Sequence, residues 1–215
     1  MEPILVEGRN CWRSCKARRV RFLIDAAEYY ATFAEAAERA ERSIVILGWD
    51  VNSQVRLLPE DPRTELGVFF KRLVDEKPGL EIYTLNWNYI ALYQKDRERG
   101  TAERLGTAAH PRLHYSADRS HPPLGSHHQK VTVIDDRVAF VGGLDFGAAR
   151  WDTQQHRRDD SRRLNVQGEV APPFHDVMVM VDDKAAASLG ELARERWRQA
   201  TGELITVAGA TADPW

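Results

Sequence analysis

Ser126-His127-His128-Gln129-Lys130-Val131-Thr132-Val133-Ile134-Asp135, continued by Asp136-Arg137-Val138-Ala139-Phe140-Val141-Gly142-Gly143, is the stretch on which the fold turns. Residues 129–134 and 138–141 are short apolar runs of strand type. Side chains alternate between the two faces of a strand, so His128 and Lys130 point the same way, with Thr132 and Ile134 continuing that face and Val131 and Val133 filling the other. An imidazole beside an ammonium on a rigid strand suits attack on a phosphate. Neutral His is the nucleophile or proton carrier, and Lys holds the non-bridging oxygens. Gly142-Gly143 is expected to let backbone N–H groups approach an anion closely. Asp135 falls on the opposite face near the strand end, where it is better placed to brace a loop than to touch substrate.

Outward from this stretch the chain alternates strands and helices. Residues 20–24, 43–49, 80–87, 112–115 and 177–181 read as further strands, with 55–58 as a short additional one. Helices are expected from Asp25, in the N-cap position, to about residue 42, then over 64–77, 90–98 with Gly100 as its stop, and 184–200. Residues 146–173 are polar and irregular. The pattern predicts an α/β fold, an α-β-α sandwich around a mixed central sheet. The domain reading is an N-terminal segment over 1–17, one domain over 18–202, and a tail or the start of a missing second half over 203–215.

The 215 residues are enough for a sizeable core, and apolar residues at 43% with charged residues at 29% exclude a disordered chain. Lys and Arg number 30 against 32 Asp and Glu, a net charge of −2, which removes the usual electrostatic case for a nucleic-acid binder. There is no membrane-length apolar run, and the first residues lack a signal-peptide pattern. The expectation is a cytoplasmic protein, peripheral to the membrane where it meets lipid. Cys11 and Cys15 read as free thiols, because no second Cys/His pair of metal spacing lies near them.

The spacing His-x-Lys-x4-Asp-x6-Gly-Gly resembles the signature of the phospholipase D superfamily. Ala139-Phe140-Val141-Gly142-Gly143-Leu144-Asp145, Arg150-Trp151-Asp152, His156, Phe174-His175-Asp176-Val177 and Arg194-Glu195-Arg196-Trp197 extend the likeness to the N-terminal half of bacterial phospholipase D-like proteins and of eukaryotic-type enzymes. The resemblance implies an in-line displacement in which His128 attacks phosphorus to give a phosphohistidine, Lys130 clamps phosphate oxygens, and water or an alcohol resolves the intermediate. It implies catalytic roles for His128, Lys130 and Asp135. An acidic residue that orients His128 falls in the segment 156–160, with Asp160 chosen over Asp159. Substrate contacts are expected from Gly142, Gly143, Asp145, Arg150, Trp151 and His175. No metal or cofactor is implied. Position 145 departs from the family by carrying Asp where many members have Asn.

A second departure is larger. The family builds its site from two such motifs, one His acting as nucleophile and the other protonating the leaving alcohol, and no second His-x-Lys occurs in this chain. A homodimer or a second motif is therefore an expected partner. The expected substrate is a phosphodiester, first a glycerophospholipid such as phosphatidylcholine, with hydrolysis or transfer both open. A homodimeric nuclease, a phosphatidyltransferase and a non-catalytic phosphate- or lipid-binding fragment are the competing readings. His127 faces away from His128 and reads as packing. His110, His114 and His121 read as loop or surface histidines, and the Arg157–Arg163 region as a charge-balanced loop. The basic cluster Arg13, Lys16, Arg18, Arg19 and Arg21 reads as a solvated face.

Overall fold

Among the described residues seven strands and four α-helices follow the alternation closely. In chain order they are β1 (Val20–Ile24), α1 (Asp25–Ala37), β2 (Ser43–Gly48), α2 (Leu66–Glu76), β3 (Glu81–Trp87), α3 (Thr101–Leu105), β4 (Leu113–Asp118), β5 (Val131–Ile134), β6 (Val138–Gly142), β7 (Val177–Asp182) and α4 (Asp183–Thr201). The structure, a computed structural model, describes residues 4–88, 97–122, 125–206 and 209–215. One mixed sheet runs in the order β1-β7-β6-β5-β2-β3-β4. Strands β2, β3 and β4 are parallel to one another, and the remaining neighbours are antiparallel.

The sheet is apolar on both faces because each carries helices. On one face Ile44, Ile46, Ile134, Phe140, Met178 and Met180 pack with Tyr29, Tyr30 and Phe33 of α1 and Phe70 and Leu73 of α2. On the other, Val45, Leu47, Val131, Val133 and Ala139 meet Ala186, Ala193 and Trp197 of α4. The residues of β5 divide between these faces as their alternation requires, and the sandwich expected from the sequence is the one observed. None of the described helices is long and apolar enough to cross a membrane.

Some local expectations are corrected. Residues 55–58 form no strand; Arg56 makes a single bridge to Glu65, and Thr64 closes the loop through Leu57 N. The helix expected over 90–98 falls largely outside the described residues, and Gly100 (φ 86°) precedes a helix, α3, where it was expected to end one. The first helix stops at Ala37, and residues 38–42 turn the chain into β2. Asp25 does not cap α1: no side-chain capping bond forms, and its carboxylate points to His175 instead, 2.7 Å from Nδ1. The basic N-terminal cluster is largely ion-paired, Arg13 with Glu191, Arg18 and Arg19 with Asp182, and Arg21 with Glu28.

Asp135 joins the far end of β5 to the α1–β2 turn. Its carboxylate accepts the N–H groups of Glu41, Arg42 and Ser43 at 2.7, 2.8 and 2.7 Å. Asp135 and Asp136 both have positive φ, and Arg137 N donates to Ile134 O, which makes the β5–β6 connection a tight turn of the mirror-image type that suits the twist of a hairpin. The loop-bracing reading of Asp135 agrees with these bonds, and the residue expected to be catalytic lies at the strand end opposite His128. Replacing Asp135 by Ala strips a charged acceptor from three N–H groups and should destabilise the fold by about 3 kcal/mol or more. Urea unfolding of Asp135→Ala against the wild type measures it.

Candidate active site at one edge of the sheet

The antiparallel and parallel pairings bring particular chain ends to a single edge. The C-terminal ends of β1, β2, β3, β4 and β6 and the N-terminal ends of β5 and β7 all lie there. Asp25, Trp49, Trp87, Asp118, His128, Lys130, Gly143 and His175 therefore share one rim, although they span most of the chain.

Lys130 and Asp145 form its centre. Lys130 Nζ lies 3.0 Å from Asp145 Oδ2, and both side chains are buried. The other carboxylate oxygen of Asp145 accepts the N–H of Trp49 at 2.8 Å, while Tyr30 Oη donates to Asp145 O at 2.7 Å from α1. Burial raises the Asp145 carboxyl above its ordinary range, and the nearby Lys130 ammonium opposes that rise. The side chain expected to contact substrate is thus the counter-ion that pins Lys130. His128 stands exposed on the lead into the same strand, its ring centroid 5.7 Å from that of Trp49 in an edge-on arrangement. Trp49 stacks on Trp87 at 5.5 Å, and Arg97 lies over Trp49 at 4.1 Å. The two tryptophans and Arg97 are contributors that the motif gave no means to foresee. Trp49 directly follows the buried strand β2, a place that by itself says nothing of its contact with His128.

Gly142 and Gly143 serve a different purpose from the one expected. Their N–H groups donate within the sheet, to Lys130 O at 3.3 Å and Val177 O at 3.1 Å, so neither is turned toward an anion. What requires glycine is crowding. A Cβ on Gly142 would fall 2.2 Å from Val177 O, and one on Gly143 would fall 2.1 Å from Asp176 Oδ1. The double glycine lets β7 and the Asp176 carboxylate close against the rim beside Lys130.

Asp160 does not meet His128. Its carboxylate is taken by the Arg162 guanidinium at 2.9 and 2.7 Å, which holds it down at about 2, and among the described residues no hydrogen bond joins it to His128. Local charge explains the difference, since an arginine two residues away outcompetes a distant imidazole. Asp159 is exposed and has no described side-chain partner. Arg150 lies over Phe174 at 4.5 Å, and Trp151 is buried beneath Arg162. Trp151 and Arg162 help line a groove of about 520 Å³ with Asn52 and Leu164, and His128 is not part of it. Arg163, expected in a charge-balanced loop, is fully buried there, 2.7 Å from the equally buried Asp152. His127 accepts from Arg196 of α4 at 2.9 Å, on the face away from Lys130, as its parity requires. His114 pairs with Glu81 and His110 lies near Asp75, apart from the rim.

An α/β sandwich with a single His-x-Lys pair on the rim of its sheet is the class of protein that fold and site define. The chain belongs to the phospholipase D family: the family model for Phospholipase D matches residues 36–212. Phospholipase D zeta 1 of Arabidopsis thaliana is 31% identical over 159 residues, covering 70% of this chain and 14% of that protein. Phospholipase D A of Dictyostelium discoideum is 28% identical over 212 residues, covering 83% and 16%. The chain therefore spans only a small part of the curated relatives it matches. In fold it is similar to Nuc, a phospholipase D family member from Salmonella typhimurium, with a TM-score of 0.54 at 14% identity over 84% of this chain and 95% of that one. The phosphatidylserine synthase of Haemophilus influenzae gives a TM-score of 0.55 at 14% identity, over 82% of this chain and 36% of that one.

Asp50 reports on the dryness of this rim. Burial pushes its carboxyl up to about 6, Arg97 opposing and Asp145 adding to the rise. A folded-state value above the unfolded one means that the contribution of this group to stability is fully present below about pH 4 and lost as pH rises through about 6. Asp50→Asn should therefore flatten the stability profile between about pH 4 and pH 7 by about 3 kcal/mol. Urea midpoints across that range, wild type against variant, provide the comparison.

Proposed function

We propose that this chain supplies one half of a phosphodiester-cleaving site, with His128 as the nucleophile and Lys130 as the phosphate-binding cation. The observation that carries this reading is the pairing of an exposed His128 with a buried Lys130 whose ammonium is fixed by Asp145 on the same rim. In the first step an imidazole nitrogen of His128 attacks phosphorus, the bond to the leaving alkoxide breaks, and a second histidine gives that oxygen its proton. In the second step water, or an alcohol, gives its proton to the now neutral second histidine and attacks the phosphohistidine, and the P–N bond breaks to regenerate the His128 imidazole. Lys130 draws the non-bridging oxygens and stabilises the charge that builds on them.

The second histidine comes from outside this single motif. A twofold copy of the chain or a further domain of the same protein fits the need. A second copy is favoured by the fold match to Nuc, which takes in 95% of that chain. The substrate class favoured is a glycerophospholipid: the curated relatives reported above are phospholipases D by name, and a net charge of −2 gives poor tracking of a polyanion. A membrane surface is then the working environment, with the chain peripheral to it on the cytoplasmic side.

Side-by-side assay of phosphatidylcholine, bis-p-nitrophenyl phosphate and DNA, with size determined on the same sample, tests this reading. The expected outcome is activity on the lipid and the small diester from a twofold assembly, weak or no cleavage of DNA, and a loss of about 10³-fold or more in His128→Ala. A monomer that hydrolyses none of the three, or activity that survives His128→Ala, contradicts it.

A further inference from the structure

We propose that Asp25, His156 and His175 form a binding site for one transition-metal ion of the zinc type, on the same sheet edge as His128 but at the far side of Gly143. His175 leads into β7 and Asp25 follows β1, two and three strands away from β5. His156 reaches them from the irregular segment between β6 and β7. The inference rests on this geometry and is independent of the phosphodiester reading.

The three side chains converge on one carboxylate. His175 Nδ1 lies 2.7 Å from Asp25 Oδ1, and His156 Nε2 lies 3.3 Å from Asp25 Oδ2. One ligand atom from each residue falls within 4.8 Å of the other two. Ligands bound to zinc at about 2.0–2.1 Å in tetrahedral geometry stand about 3.4 Å apart, so an ion would draw the set together by a modest movement of the exposed His175 ring. Two imidazoles with one carboxylate suit zinc and its first-row neighbours, whereas calcium and magnesium prefer oxygen donors.

Two further observations point to an ion. Asp25 is completely buried, and its Oδ2 has no hydrogen-bond partner among the described residues. A buried carboxylate oxygen with no hydrogen bond and only the His156 ring beside it, at 3.3 Å, is unusual, and a cation between it and the two imidazoles would satisfy it. The second is the arrangement behind His156. Its Nδ1 is hydrogen-bonded to Asp152 Oδ2 at 3.3 Å, which leaves Nε2 toward Asp25. Asp152 is in turn buried and ion-paired with Arg163 at 2.7 Å. A carboxylate that orients the outer nitrogen of a ligating histidine is the usual support of such metal sites. Asp25 also holds φ 66° at the first residue of α1, a conformation uncommon outside glycine.

The ion would tie the end of β1, the segment around His156 and the start of β7 into one unit. With the His175 side chain 62% exposed, the fourth position opens toward solvent and would carry water.

Calorimetric titration of chelator-treated full chain with zinc chloride, and separately with calcium and magnesium chlorides, is the test. One equivalent of zinc should bind with a Kd at or below about 10 µM, with no binding of calcium or magnesium in that range. His175→Ala, a change at an exposed side chain, and His156→Gln should each weaken zinc at least about 10-fold with an unchanged circular dichroism spectrum. His114→Ala, away from the cluster, should bind as the wild type does. Zinc should raise the Tm of the wild type and leave that of His175→Ala in place. Absence of zinc binding at concentrations about 100-fold higher overturns the proposal. So does binding that survives both His175→Ala and His156→Gln, which would locate the ion elsewhere, for instance at Cys11 and Cys15.

Discussion

At one end of β5 the Lys130 ammonium sits 3.0 Å from Asp145 with both groups buried, and at the other the Asp135 carboxylate takes the N–H groups of residues 41–43. Between these two anchors lie only the four residues of the strand, Val131–Ile134. A slip of one residue would turn Lys130 and Thr132 toward α4 and drive Val131 and Val133 into the opposite layer. It would also leave a buried charge without its partner, which proteins tolerate poorly. Tyr29 Oη, 3.2 Å from Thr132 Oγ1, reinforces the same register from α1. The position of His128 at the rim follows from that fixed register.

The rim gathers chemistry because β5 and β7 begin where β1, β2 and β6 end. Every reactive group is carried to it by a short lead into or out of a strand, and the neighbouring strands determine what fits between. Gly142 and Gly143 illustrate the point. They are spared a side chain so that Val177 O and the Asp176 carboxylate can press in, and the close approach they permit is by protein and not by a bound anion. Asp145 shows a similar exchange of roles, since its carboxylate keeps Lys130 in place. A carboxylate at this position is compatible with phosphate binding because it sits behind the ammonium, buried, and leaves the outer surface of the rim to His128.

Periodicity made the sheet, the helical layers and the direction of His128 and Lys130 legible from the sequence, because these depend on alternation within a strand. The bracing role of Asp135 was legible for the same reason. Partners brought together by the fold were not. Asp25 reads locally as a helix cap, but β1 places it beside the start of β7, where His175 competes successfully for its carboxylate. Arg163 lies in a run of mixed charge that looks solvated, and its burial depends on Asp152 and on the carbonyls of Arg157 and Ala171. Asp160 matched the spacing of an orienting carboxylate, and a neighbouring Arg162 captured it instead. Charge pairing across 10–150 residues leaves no periodic trace.

In the proposed mechanism an imidazole nitrogen of His128 bonds to phosphorus, and rapid acid-free quenching during turnover of a phosphodiester, followed by peptide mass spectrometry, tests that most directly. The phosphoryl adduct is predicted on the peptide containing His128, labile to acid and absent from His128→Ala. An adduct on any other residue, or sustained turnover with no adduct on His128, would contradict it.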